Sequence, residues 1–155
     1  MNLGKYRHLI WDWNGTLLDD AWLCREIMNR QLTRRGLPIL TAERYEAVFD
    51  FPVEGYYRKV GFDWRNETFE EAGTEFILEY EKRKKECRLQ PGAKELLHQI
   101  KKTGKSQAVL SAYSHKTLDE FLYITIMNNI SFCGLQESLS LPDVIRDMVS
   151  SYAQV

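Results

Sequence analysis

Asp12 follows an apolar run and precedes an Asn14-Gly15-Thr16 turn, with two more acids, Asp19 and Asp20, close behind. Far along the chain, Ser111 closes a second apolar run, Ala108-Val109-Leu110. Both residues are expected at the carboxyl ends of buried strands, and open parallel sheets bind ligands in the crevice beyond such ends. A carboxylate there can attack phosphorus and form an acyl phosphate. The reaction needs a magnesium ion to neutralise the phosphate, and oxygen ligands to hold that ion. The backbone amides of residues 14–16 can hold phosphate oxygens, and Gly15 lets the backbone come close.

Certain elements must position these groups. Residues 6–12 read as a buried strand, stopped by Asn14-Gly15. Asp19 or Asp20 can cap the helix that follows, whose apolar stripe is Leu23, Ile27, Met28 and Leu32, with Gly36 and Pro38 ending it. A second helix starts at Thr41 and buries Tyr45, Val48 and Phe49. A third begins at Pro52 and runs to Gly61. Thr68 and Glu71 have capping-box spacing and open a long helix. Gln90-Pro91-Gly92 breaks the chain before a short helix with Leu96, Leu97 and Ile100 inward and Gly104 at its end. Residues 107–111 read as the second buried strand, 115–127 as helix, 130–135 as a third strand and 141–153 as a final amphipathic helix. Strands alternating with helices predict an α/β fold with a parallel sheet. The roughly 70 residues after the first strand are too long for a loop and read as an inserted helical lid. The expected division is a core of residues 1–18 and 89–155 and a cap of residues 19–88.

Bulk composition bounds the rest. The 155 residues are 44% apolar and 12% aromatic, enough for a packed core. A net charge of −1 gives no global field toward nucleic acid or an anionic membrane. No run approaches the length of a membrane span and no secretory segment is read at the N-terminus. Cys24, Cys87 and Cys133 are dispersed and form no CxxC pair, so a reduced, cytoplasmic chain is expected. The basic run at residues 81–88 is interrupted by Glu81 and Glu86 and reads as a solvated helix end. Tyr56, Tyr57 and Arg58 read as cap-core residues rather than substrate contacts.

The stretch "DWNGTLLDD" resembles the first motif of the haloacid-dehalogenase-like hydrolases, and "AVLSAYS" resembles the second. "PGAKELLHQIKKTG", with a helical cap between the two motifs, is similar to the phosphoglycolate-phosphatase-like branch. The resemblance covers roughly residues 5–120. It implies a Rossmann-like parallel core with an inserted helical cap, and magnesium-dependent hydrolysis of a small phosphorylated metabolite. It implies Asp12 as nucleophile and metal ligand, and Asn14 as a metal ligand through its carbonyl. Gly15, Thr16, Ser111 and Ala112 would contact the phosphoryl group, and Ser111 would also take part in transfer.

Two departures weigh against turnover. Asn14 stands where the family's phosphatases carry an acid/base Asp, and an amide cannot exchange a proton at neutral pH. The family's third-motif lysine and fourth-motif acidic pair are not found, so the C-terminal part of the core is expected to be incomplete. Asp143 and Asp147 have a DxxxD spacing, but that spacing puts both on one face of a helix. His115 lacks a nucleophile elbow and reads as a helix-start residue. Asp12 and Ser111 also fit as ordinary strand-end residues, with Asn14 an ordinary turn residue. The alternative function is therefore a catalytically silent protein that binds phosphate or a partner. Without a fourth-motif strand beside residues 6–12, an exposed sheet edge and self-association are expected.

Overall fold

The computed structural model describes residues 3–114 and 131–135. These residues fall into two compact units, one holding the chain through Asp20 and again from Lys85, the other holding Ala21–Lys84.

The first unit is built on a parallel sheet. Strand β1 (His8–Asp12) pairs with β4 (Ser106–Ser114), and β4 pairs with β5 (Ser131–Leu135), giving the order β1-β4-β5. Two-residue strands β2 (Leu18–Asp19) and β3 (Arg88–Leu89) form a separate antiparallel ladder. Helix α5 (Ala93–Lys102) buries Ala93, Leu97 and Ile100, an i, i+4, i+7 stripe. It leads into β4, and the Gln107 side-chain amide donates to the Leu97 carbonyl at 3.0 Å. The Trp11 indole N–H donates to Gln107 Oε1 at 3.1 Å, which ties β1 to β4 on one face.

The second unit holds helices α1 (Ala21–Arg34), α2 (Ala42–Val48), α3 (Val53–Lys59) and α4 (Phe69–Arg83). Its core joins Met28 and Leu32 of α1 to Leu40, Tyr56, Tyr57, Val60, Phe62 and Ala72. The start and stop signals are local and visible. Thr41 caps α2 by accepting from Arg44 N, and Thr68 and Glu71 form a reciprocal capping box on α4. Gly36, at φ +67°, lets Leu37 N reach back to Leu32 O at 2.9 Å and close α1. Buried Gln31 donates to Ala72 O at 2.8 Å, joining α1 to α4. Arg35 grips Glu67 with two nitrogens, at 2.6 and 2.5 Å, and reaches Glu75. The basic run has partners too: Arg83 bonds Glu26, Lys84 bonds Glu81 and Lys82 lies near Glu79.

Four expectations need correction. β1 starts at His8 and is not buried: Tyr6 is 60% and Ile10 71% exposed. Among the described residues it is paired on one side, by β4. Phe49 is exposed because it follows α2 as its C-cap, outside the helical face. Leu96 is exposed because it falls beside the narrow inward stripe of α5. Ser111 is not a strand end, since β4 continues to Ser114 with a register irregularity between the two serines. The expected helices at 115–127 and 141–153, with His115, Asp143 and Asp147, lie outside the described residues.

Candidate functional site

β1 delivers Asp12 to its carboxyl end, where the carboxylate is exposed. Trp13, fully buried, then anchors a tight turn. Its carbonyl accepts from Thr16 N at 3.3 Å, Leu17 N at 3.0 Å and Leu18 N at 2.9 Å. Gly15 sits inside this turn at φ +73°, a conformation that L side chains rarely adopt. The turn brings the Thr16 hydroxyl back onto the strand end, where it donates to Asp12 Oδ2 at 2.7 Å. That bond is made to Oδ2 and orients the carboxylate.

Asp20 organises the other side of the turn. It is 2% exposed, and its carboxylate accepts from the Asn14 side-chain amide at 2.6 Å and from Gly15 N at 2.8 Å. Gln90, just beyond β3, donates its backbone N–H to Leu17 O at 2.8 Å and its side-chain amide to Gly15 O at 3.4 Å. Neither Asp20 nor Gln90 was among the residues expected at the site. Asp20 directly before a helix reads as a cap, and Gln90 before Pro-Gly reads as a break. No local pattern signals that either reaches back to the turn.

The turn amides of Gly15 and Thr16 have partners within this unit. Gly15 N donates to Asp20, and Thr16 N to Trp13 O. These two amides help to hold the turn together. Ser111 lies on the strand next to β1, one residue beyond Leu110, which is the register partner of Asp12. It is 6% exposed and sits where the β4 register becomes irregular. Ala112 follows in the same strand. The chain thus joins Asp12 to Thr16, and Asn14 and Gly15 to Asp20, by hydrogen bonds, and sets Ser111 near the same sheet level.

In donor chemistry the Asp12 carboxylate and the Asn14 main-chain carbonyl are hard oxygens of the kind magnesium accepts. No group of three or more Asp, Glu, His or Cys able to hold a metal ion is found among the described residues. No helix among them is long and apolar enough to cross a membrane.

A family model described as "Haloacid dehalogenase-like hydrolase" matches residues 9–133. No curated protein matches. Among solved structures, a haloacid dehalogenase-like family hydrolase from Streptococcus pneumoniae is 16% identical with a TM-score of 0.68, over 95% of this chain and 70% of that one. The protein tyrosine kinase A of Mycobacterium tuberculosis is 21% identical with a TM-score of 0.68, over 94% and 69%. A predicted phosphoglycolate phosphatase from Haemophilus somnus is 20% identical with a TM-score of 0.58, over 86% and 64%. At these identities the likeness concerns fold, and one fold serves several chemistries. The chain spans roughly two thirds of each of these proteins.

Proposed function

The chain belongs to the haloacid dehalogenase-like hydrolases, and from that premise we propose that it hydrolyses a small phosphomonoester through an aspartyl-phosphate on Asp12. The observation that carries the reading is the Asp12 carboxylate, exposed at the strand end and held through Oδ2 by the Thr16 hydroxyl. A phosphoglycolate-like metabolite is the substrate class favoured by the resemblance, and one of the similar structures is a predicted phosphatase for that compound.

In the first step Asp12 Oδ1 forms a bond to phosphorus as the bond to the ester oxygen breaks, and the leaving alkoxide takes a proton from solvent water. In the second step water attacks phosphorus, releases inorganic phosphate and regenerates the carboxylate. The Thr16 hydroxyl fixes the rotamer of Asp12, so less freedom is lost on reaching attack geometry. Ser111 would hydrogen-bond the phosphoryl group from the neighbouring strand, with Ala112 beside it. Asp12 and the Asn14 carbonyl would hold magnesium, which when bound neutralises phosphate charge. Asn14 can neither give the leaving oxygen a proton nor take one from water. That loss is typically about 10²–10⁴-fold in rate, so slow turnover is expected.

A second reading has its own observation. The amide of Asn14 is clamped to Asp20 at 2.6 Å, which gives position 14 a structural duty and suits a phosphate-binding protein without turnover. The test is a panel of phosphomonoesters with magnesium, comparing the unmodified chain with Asp12→Asn and searching intact protein by mass spectrometry for the phosphorylated adduct. Slow hydrolysis and an adduct, both lost in Asp12→Asn, support the enzyme. Equal rates in both proteins would remove it, and phosphate binding by calorimetry without any turnover would favour the silent protein.

A further inference from the structure

We propose that Asp20 is a positioning residue: it sets which end of the Asn14 amide faces the reaction, and through that end orients the water that attacks the aspartyl-phosphate. The proposal deepens the reading of Asp12 as nucleophile and rests on it. Asp20 is buried, whereas Asn14 is exposed. The two oxygens of the Asp20 carboxylate are divided between two donors. Oδ1 accepts from Gly15 N at 2.8 Å and Oδ2 from Asn14 Nδ2 at 2.6 Å. A carboxylate only accepts, while an amide has a donor end and an acceptor end of nearly the same shape. Asp20 therefore selects the donor end of Asn14. The Asn14 carbonyl oxygen is the end turned away from the buried acid.

That selection has a chemical consequence in the second step. Asn14 moves no proton, but its Oδ1 accepts a hydrogen bond from water and so fixes where the water's lone pair points. The water oxygen bonds to phosphorus as the bond to Asp12 breaks. The electron pair of that bond stays on the carboxylate. Both water hydrogens leave with the phosphate, which exchanges them with solvent. The reversed amide would present N–H donors, which suit phosphate oxygens and give a water hydrogen nothing to bond. Asn14 thus keeps the orienting half of an acid/base residue's duty, and Asp20 keeps that half in place.

Asp20→Asn tests this while keeping both hydrogen bonds. Residue 20 must still accept from Gly15 N, and only its carbonyl oxygen can do so. Its own NH₂ then points at Asn14, which has to turn its Oδ1 inward and its NH₂ outward. In side-chain amide NMR spectra, Asn14 is identified by the signals lost in Asn14→Asp. Added inorganic phosphate should leave those signals in place in the unmodified chain and shift them in Asp20→Asn. In rapid-quench mass spectrometry with a phosphomonoester and magnesium, Asp20→Asn should form the Asp12 adduct at the unmodified rate. It should lose the adduct about tenfold more slowly, the effect of one hydrogen bond. A general loosening of the turn would slow both steps alike. Asn14 signals that respond alike in the two proteins would overturn the proposal, as would equal slowing of both steps or an unchanged adduct lifetime. Absence of the adduct in the unmodified chain would remove the aspartyl-phosphate reading and the water's role with it, while the spectra decide the orientation of the amide by themselves.

Discussion

Position 14 carries an amide where the proposed chemistry would use an acid, and the structure says what replacing it would do. The Asn14 amide donates to Asp20 at 2.6 Å, so Asn14→Asp would put two carboxyls at hydrogen-bond distance around a buried acid. They cannot both ionise there; they would share a proton and titrate as a pair, with one apparent pKa raised. A raised pKa is what a general acid near neutral pH needs, so Asn14→Asp should increase phosphomonoester hydrolysis, at most by about 10²–10⁴-fold. The same pairing has a cost of known sign. A carboxyl whose folded pKa lies above its unfolded value destabilises the fold increasingly as pH rises through the window between the two. Urea midpoints of the variant relative to the unmodified chain should therefore fall further at about pH 8 than at about pH 5. An unchanged rate with that loss of stability would mean that protonation does not limit turnover. The turn that follows Asp12 could be read from the sequence, because a strand end and a positive-φ glycine lie within five residues of each other. The Asn14–Asp20 clamp could not, because it exists only once the turn has folded back.

Helix ends were legible for the same reason, and they support definite expectations. Thr68 accepts from Glu71 N at 3.1 Å while Glu71 accepts from Thr68 N at 2.7 Å, so Thr68→Ala removes one half of the box. It should cost about 1 kcal/mol, read as a lower denaturation midpoint with an unchanged slope. One residue earlier, Glu67 is held below its ordinary value, chiefly by the hydrogen bond from Arg35. Its contribution is complete above the ordinary glutamate value of 4.5 and is lost as pH falls through its lowered folded value. Acid titration of stability should show this loss in the unmodified chain, and Glu67→Gln should flatten part of it. Strands were less legible than helices. The apolar residues of β1 say nothing about which of its sides is covered, and that depends on the position of β4 about a hundred residues on. The β2–β3 ladder is two residues long and joins distant segments, too little for any periodicity. The continuation of β4 past Ser111 rests on a register irregularity that no residue pattern announces.

On the scale of the whole chain, the inserted helical segment was visible as too long and too patterned for a loop, and its core has a property that can be tested. Among the described residues, every member of the cluster around Tyr56 and Tyr57 lies within residues 21–84: Met28, Leu32, Leu40, Val60, Phe62 and Ala72. The hydrogen bond from Gln31 to Ala72 and the pairs of Arg35 with Glu67 and Arg83 with Glu26 also begin and end within this segment. Burial drives both tyrosine hydroxyls upward in pKa, as expected for phenols inside a dry core. Residues 21–84 produced alone should therefore fold into a helical unit. Domains of roughly 60 residues bury only about 60% of their extended surface and are marginal, so the isolated unit should melt cooperatively but with little reserve. Leu32, fully buried at the centre of the cluster, sets the scale of that reserve. Truncating such a leucine to alanine costs about 2–5 kcal/mol, comparable to all the stability a domain of this size has. Circular dichroism should show a sigmoidal thermal transition for the isolated segment and none for its Leu32→Ala variant. A segment that is helical but melts without a transition, or one unmoved by Leu32→Ala, would mean that this cluster does not by itself hold the helices together.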